Sequence, residues 1–324
     1  MDFERALGLK PASPQVALEL EGHDLTVVRV KRSGRGRPQL AAHQTRHLDE
    51  PAVPATIFDQ KSVSEAELAE RLRELFERGG IRPGRVSIVL PDNLAKVTLL
   101  TLPERPSSRK QLLEIVRFKM HRAVPFRLSE ASLTYQLLPG EGKGPAVLVA
   151  VMRRSLIEKY ERALESIGAR PGVVDLCTPN LLNLCRGSLK AAEGRGGDVA
   201  VLNCAQSYFS LVISRKSRLI FFRCKTYSMT DGHPSGGNGS LAREIAGSLS
   251  YYEEKLDGQG VGTLLVRSVD ATLEEIRQGL GGLGVERIGL IDPAASLALE
   301  GGSSLEREAG QRIAPAVGAA VGRA

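Results

Sequence analysis

The chain has 324 residues, of which 42% are hydrophobic, enough to bury one large core or two cores in adjacent lobes, and this excludes disorder along its whole length. A formal charge of +7 is scattered over the chain in the manner of a solvated surface, so nucleic acid is not an expected partner. Charges interrupt every apolar stretch before it reaches about 18 residues, so no membrane span is expected and membrane contact is expected only indirectly. Four separated cysteines, Cys177, Cys185, Cys204 and Cys224, form neither a metal pair nor a redox pair and read as small buried hydrophobes in a reducing compartment.

In chain order, Met1 to Gln15 mixes charges and prolines and is expected to be flexible, without the apolar segment of an export signal. Alternation of Val16, Leu18 and Leu20, then of Leu25, Val27 and Val30, predicts two strands joined at Gly22-His23-Asp24. A third strand, near Gln39 to Thr45, follows Arg35-Gly36-Arg37-Pro38, a tetrapeptide like the core of an AT-hook whose place between two strands makes it a turn. Ser64-x-x-Glu67 is a capping box, and Leu68, Leu72, Leu75 and Phe76 then line a helix that stops at Gly79-Gly80. Val86 to Leu90 reads as a buried strand. Ser107 or Ser108 caps a helix running to about Ala123, ended by Pro125-Phe126. Strands at Leu133 to Leu138 and Ala146 to Met152 precede a second capping box, Ser155-x-x-Glu158, a helix ending at Gly168, and a strand at Val173 to Leu176.

Gly194-Arg195-Gly196-Gly197 is the expected joint between two lobes. Beyond it, Val199 to Asn203, Phe209 to Ser214 and Leu219 to Cys224 repeat the strand rhythm of the N-terminus, which suggests an internal duplication. A polar stretch, Thr230 to Gly239, leads to a helix carrying Leu241, Ile245, Leu249 and Tyr252, a strand at Thr263 to Val266, a helix at Ala271 to Leu280 and a strand at Glu286 to Ile291. The final helix, from Ala314, has Pro315 at an N1-like position and enough Ala and Gly to approach another backbone closely. Arg117, Lys119, Arg122 and Arg127 form a basic cluster whose ordinary role is a solvated face, the alternative being a seat for acidic partner groups or lipid headgroups. His43 and His47 lack a zinc-binding pattern, and Tyr251 and Tyr252 read as helix-packing residues.

Two lobes with matching openings suggest an actin-like (ribonuclease H-like) α/β fold. Leu102-Pro103 followed by Glu114 to Phe126, ending Arg122-Ala123-Val124-Pro125-Phe126, resembles the hallmark of the PilM family of type IV pilus assembly proteins. In order, Leu133 to Leu138, Val147 to Val151, Ile157 to Gly168 and Pro171 to Asp175 are similar to the segments that follow in that family. The resemblance implies a cytoplasmic protein held at the inner membrane through its partners, with a subdomain inserted as in FtsA. The implied layout is a flexible 1–15, lobe I over 16–193 with its insert over 105–176, a linker over 194–197, lobe II over 198–304, and 305–324 packing back near the cleft.

The implied partner is a PilN-like membrane protein, bound through its N-terminal cytoplasmic peptide. Pilus assembly ATPases and further copies in a ring are additional implied partners. An extended apolar peptide would dock near Val86, Ile88, Leu100, Leu102, Val124 and Phe126, although the Val124 to Phe126 turn also has a plain structural reading as a helix stop with Phe in the core.

Against the family's nucleotide loops this chain departs at three places. The first loop, Glu19-Leu20-Glu21-Gly22, puts Glu21 where a glycine would approach phosphate, and an unneutralised carboxylate there repels a triphosphate. The second, Asn203-Cys204-Ala205-Gln206-Ser207, has Asn203 in place of a metal-directing Asp. The third has Arg267-Ser268 where bare glycine backbone would receive the adenosine. The expectation is a degenerate cleft with no catalytic residue, no metal and no bound cofactor, hence a pseudo-ATPase scaffold. The competing readings are an active ATPase using Glu19 and Asp24 with ATP and Mg²⁺, and a GspL-like component of type II secretion.

Overall fold

The computed structural model describes residues 14–32, 36–138, 144–227, 229–230, 233–234, 241–280, 283–299 and 305–322. Residues 1–13 of the expected flexible start, Arg35 of the turn, most of the polar stretch after Thr230, and the last two residues lie outside them.

The first hairpin, β1 (Val16–Glu21) and β2 (Asp24–Lys31), turns through Gly22 at φ +55°, a left-handed conformation that suits glycine. β3 (Gln39–His47) pairs antiparallel with β2. The α1 helix (Glu65–Arg78) starts where the Ser64 hydroxyl accepts the Glu67 N–H at 3.2 Å, and it buries Leu68, Leu72, Leu75 and Phe76 against the sheet. β4 (Arg85–Leu90) then lies parallel to β1.

The chain now leaves this sheet. β5 (Ala95–Thr101), β6 (Ala131–Leu138) and β7 (Ala146–Arg153) form a separate sheet in the order β5-β7-β6, with α2 (Arg109–Met120) packing Leu112, Val116 and Met120 onto it. The insert is therefore bounded by Ala95 and Arg153, not by 105 and 176. After it, α3 (Arg154–Ser166) packs Tyr160, Ala163 and Leu164 into the lobe I core, and β8 (Arg170–Leu176) pairs parallel with β4. Two local expectations also fail. The α2 helix stops at Met120 rather than near Ala123, and Ser155 does not cap α3, which begins at Arg154 after Arg153 without a side-chain cap. Two short helices, α4 (Cys177–Leu184) and α5 (Arg186–Glu193), were not signalled by any sequence pattern and carry the chain to lobe II.

Lobe II repeats the plan of lobe I. β9 (Asp198–Cys204), β10 (Tyr208–Arg215) and β11 (Arg218–Thr226) form an antiparallel meander. A two-residue pair, β12 (Met229–Thr230) and β13 (His233–Pro234), precedes α6 (Leu241–Lys255). β14 (Val261–Ser268) runs parallel to β9, α7 (Leu273–Gly279) starts from a full capping box at Thr272 and Glu275, and β15 (Ile288–Leu290) runs parallel to β14. The orders β3-β2-β1-β4-β8 and β11-β10-β9-β14-β15 thus match strand for strand and in direction. Lobe II does not keep all of 198–304, because β16 (Ala298–Leu299) returns to pair with β3. Arg37 fastens this crossing by donating to the Ala294 carbonyl at 2.9 Å and the Ala295 carbonyl at 2.5 Å.

The last helix, α8 (Arg307–Val321), packs on β1, β2, α4 and β14. Pro315 lies inside it, not at N1. Gly318 is required there, since a Cβ would sit 2.0 Å from the Asn180 carbonyl oxygen of α4. Among the described residues no helix is long and apolar enough to cross a membrane.

Candidate functional site

The two lobes and α8 meet at a cleft whose floor is polar and buried. On β1, Leu18 and Leu20 point into the lobe I core while Glu19 and Glu21 alternate to the other face. That face is dry: Glu19 is 2% and Glu21 7% exposed. Burying two carboxylates demands a counter-charge, and Arg267 of β14 supplies it. Its guanidinium, 1% exposed, stands 2.7 Å from Glu21 Oε2 and 3.5 Å from Glu19 Oε1. It also donates to Asn203 Oδ1 of β9 at 3.0 Å and, through Nε, to the backbone carbonyl of Gln311 at 3.0 Å.

That last acceptor exists because of Pro315. A helical carbonyl is normally bonded by the N–H four residues on, and proline has none, so the Gln311 carbonyl is left for a side chain. The next residue, Ala316, directs its N–H to Glu19 Oε2 at 3.1 Å. The Gln311 side chain accepts from the Ser268 N–H at 3.1 Å and donates to the Ile291 carbonyl at 2.6 Å.

Backbone donors aimed into this kind of cleft are the chemistry that grips phosphate. Here the N–H groups of Gln206, Ala205, Ser268 and Ala316 are already engaged. The Gln206 N–H is held by Glu21 Oε1 at 3.2 Å, so the Glu21 carboxylate occupies the place of an anion that would bind both a loop N–H and a cation. The Gln206 side chain reaches Asp24 Oδ2 at 3.0 Å, and Arg312 reaches the same oxygen at 3.1 Å. A Cβ on Gly22 would meet the Gln206 amide oxygen at 2.2 Å, so the turn of lobe I and the loop of lobe II interlock. Within that loop, the Ala205 N–H bonds the Tyr208 carbonyl at 2.9 Å, and Tyr227 bonds the carbonyls of Ala205 and Ser207.

A second cluster continues from Asn203, whose amide donates to Thr178 Oγ1 at 3.2 Å and to the Tyr208 hydroxyl oxygen at 3.3 Å. Thr178, at the start of α4, hydrogen-bonds Asp92 through its hydroxyl and, at 3.1 Å, through its N–H. Ser210 of β10 donates to the same carboxyl at 2.8 Å, which ties lobe II to the turn after β4. Burial raises Asp92 above the usual carboxylate range, outweighing these bonds. Burial likewise pushes Glu19 well up, against the pull of Arg267. Burial alone would lower Arg267, but Glu21 and Glu19 hold it above its ordinary value.

The space left among Glu19, Glu21, Asp24, Gln206, Arg267 and Arg312 is about 10 Å³. That is room for one water, whereas small-molecule sites span about 300–1,000 Å³. Glu19, Glu21 and Cys177 present ligand atoms within 4.8 Å of one another. The guanidinium already supplies their positive charge, and burial keeps the Cys177 thiol well above its usual pKa, so this trio is a poor metal seat.

The residues singled out at the three loops expected to depart from a nucleotide site, Glu19, Glu21, Gly22, Asn203, Ala205, Ser207, Arg267 and Ser268, are thus brought to one cleft. Arg267 and Ser268 belong to β14 itself rather than to a loop after it. The six expected groove residues are not brought together. Val86 and Ile88 are fully buried between β1 and β8 in the lobe I core and present no surface to a peptide, while Leu100, Leu102, Val124 and Phe126 belong to the core of the insert. Sequence reasoning missed Gln311, Pro315, Asp92, Thr178 and Ser210. The usable signal was a proline within a small-residue helix, which announces an orphaned carbonyl.

Two α/β lobes of one topology, closed on a cleft where the first strands and their hairpin turns meet, define an actin-like fold with an insert in the first lobe. The family model for type IV pilus assembly protein PilM matches residues 19–231, and the chain belongs to that family. Among solved structures, it is similar to a chain of a PilM-PilN type IV pilus biogenesis complex, with 24% identity, TM-score 0.74, and coverage of 96% of this chain and 98% of the other. It is more distantly similar to a Bacteroides thetaiotaomicron protein of actin-like ATPase fold and unknown function (12% identity, TM-score 0.48, 92% and 95% covered). The same holds for the cytoplasmic domain of EpsL, an inner-membrane component of the type II secretion system of Vibrio cholerae (10% identity, TM-score 0.47, 94% and 92% covered). No curated protein sequence matches the chain.

Proposed function

We propose that this chain is a nucleotide-independent scaffold of type IV pilus assembly that binds the N-terminal cytoplasmic segment of a PilN-like membrane protein and is held at the inner membrane through it. The observation that carries the first half is Arg267. A guanidinium with four partners drawn from both lobes and α8 occupies the cleft where a nucleotide and its metal would have to lie. Admitting a triphosphate would require expelling this side chain and leaving Glu19 and Glu21 facing a like charge. A buried ion pair is weak support for stability as such. Its role in this proposal is positional, setting one angle between the lobes so that the partner meets a fixed surface. The second half is supported by family membership and by the fold shared with a PilM chain solved with PilN.

Calorimetry on the full chain tests both halves separately. A peptide copying the N-terminal segment of the cognate PilN-like protein is expected to bind more tightly than millimolar, with or without ATP and Mg²⁺, while ATP alone gives no heat and no phosphate release. ATP binding by the unaltered chain would overturn the nucleotide-independent reading, and failure of the peptide would overturn the partner.

A further inference from the structure

The outer face of α2 combines exposure and charge in a way that nothing in the cleft accounts for. Phe118 is 81% exposed, the largest value for a bulky apolar side chain among the described residues. It lies on the side of α2 away from Leu112, Val116 and Met120, which are buried in the insert. Around it Lys110, Arg117, Lys119 and Arg122 are all exposed, and none makes an ion pair or a side-chain hydrogen bond with a described residue. Glu114 is the one acid of the helix.

We propose that this face docks directly on an anionic bilayer surface, with Phe118 entering the headgroup boundary and Lys110, Arg117, Lys119 and Arg122 meeting lipid phosphates. Charge complementarity sets the occupant. Lys110, Arg117 and Lys119 of α2 and Arg122 just past its end outnumber the one carboxylate of the helix and match a negative surface, and the long stems of Lys and Arg let their charges reach phosphates while the aromatic ring goes deeper. The exposed Phe118 ring favours a bilayer over a protein, because interface aromatics draw their energy from packing into a pocket on the partner, whereas a bilayer receives an exposed ring without one. Membrane contact then has a component of its own besides that made through a partner, and it stands whether or not the partner peptide binds.

The test is co-sedimentation of the full chain with vesicles of phosphatidylcholine alone and of phosphatidylcholine mixed with phosphatidylglycerol. Binding is expected only to the mixed vesicles, weakening about fivefold for each of Lys119→Ala and Arg122→Ala, and Phe118→Ser is expected to lose it. All three positions are exposed, so thermal midpoints stay unchanged and report that the variants fold. No binding to the mixed vesicles, or equal binding by the variants, overturns the proposal. Retention on poly-glutamate but not on vesicles assigns the face to an acidic protein partner and also overturns it.

Discussion

Arginine plays opposite parts in two regions of this molecule. In the cleft, Arg267 is 1% exposed and each of its nitrogens has a partner; on the outside of α2, Arg117 and Arg122 are exposed and have none among the described residues. Water solvates the second pair at no cost to the fold, whereas the first must be solvated by protein alone. The difference shows where position is constrained. A buried charge dictates the arrangement of everything that neutralises it, so Glu19, Glu21, Asn203 and Gln311 are fixed together, while the outer cations stay available to something outside the chain.

The contrast should break most visibly in stability. Arg267→Ala leaves the buried Glu21 carboxylate without its counter-charge and is expected to cost about 3–5 kcal/mol, whereas Lys119→Ala should change stability by less than about 0.5 kcal/mol. Urea midpoints at neutral pH compare the two, and similar losses would mean that the cleft is wetter than its geometry. A smaller effect sharpens the second cluster. Ser210→Ala removes the lobe II donor to the buried Asp92 carboxyl and should cost about 1–3 kcal/mol; no loss would detach lobe II from that cluster.

The smallest effect is one of pH. Glu19 is raised by burial, so the folded chain keeps its proton where the unfolded chain has released it. Its contribution is therefore full below the ordinary carboxylate range and is lost as pH climbs through the folded value. Glu19→Gln removes that titration, while Asp92, raised in the same direction, titrates in both proteins and cancels. Stability of the variant relative to the parent should rise as pH climbs above the ordinary carboxylate range, about pH 4. A flat or falling difference would mean that Arg267 wins and Glu19 is ionised throughout.

Much of the fold was legible because its signals are local. The hairpin at Gly22, the Leu68 to Phe76 stripe, the strand triplet after Gly197 and the cleft residues Glu19, Glu21, Asn203 and Arg267 could be read in order. Errors fell where tertiary context overrides a local rule. Ser155 has the spacing of a cap yet α3 starts before it. Pro315 looks like a helix start, but packing against β1 and α4 carries the helix across it. Val86 and Ile88 read as apolar strand residues in either setting, and only the pairing of β4 between β1 and β8 shows them sealed from any peptide.

By itself, then, the sequence determined most of the element order, the duplicated lobe plan and the presence of charged and bulky residues at Glu21, Asn203 and Arg267, since periodicity and residue chemistry act over a few neighbouring positions. What only the tertiary structure decided is that those residues close the cleft upon one another. Arg267 meets Glu21 across 246 positions, and Ala316 meets Glu19 across 297. The energy of a buried charge depends on which strands and helices happen to lie beside it, and no window along the chain contains that information.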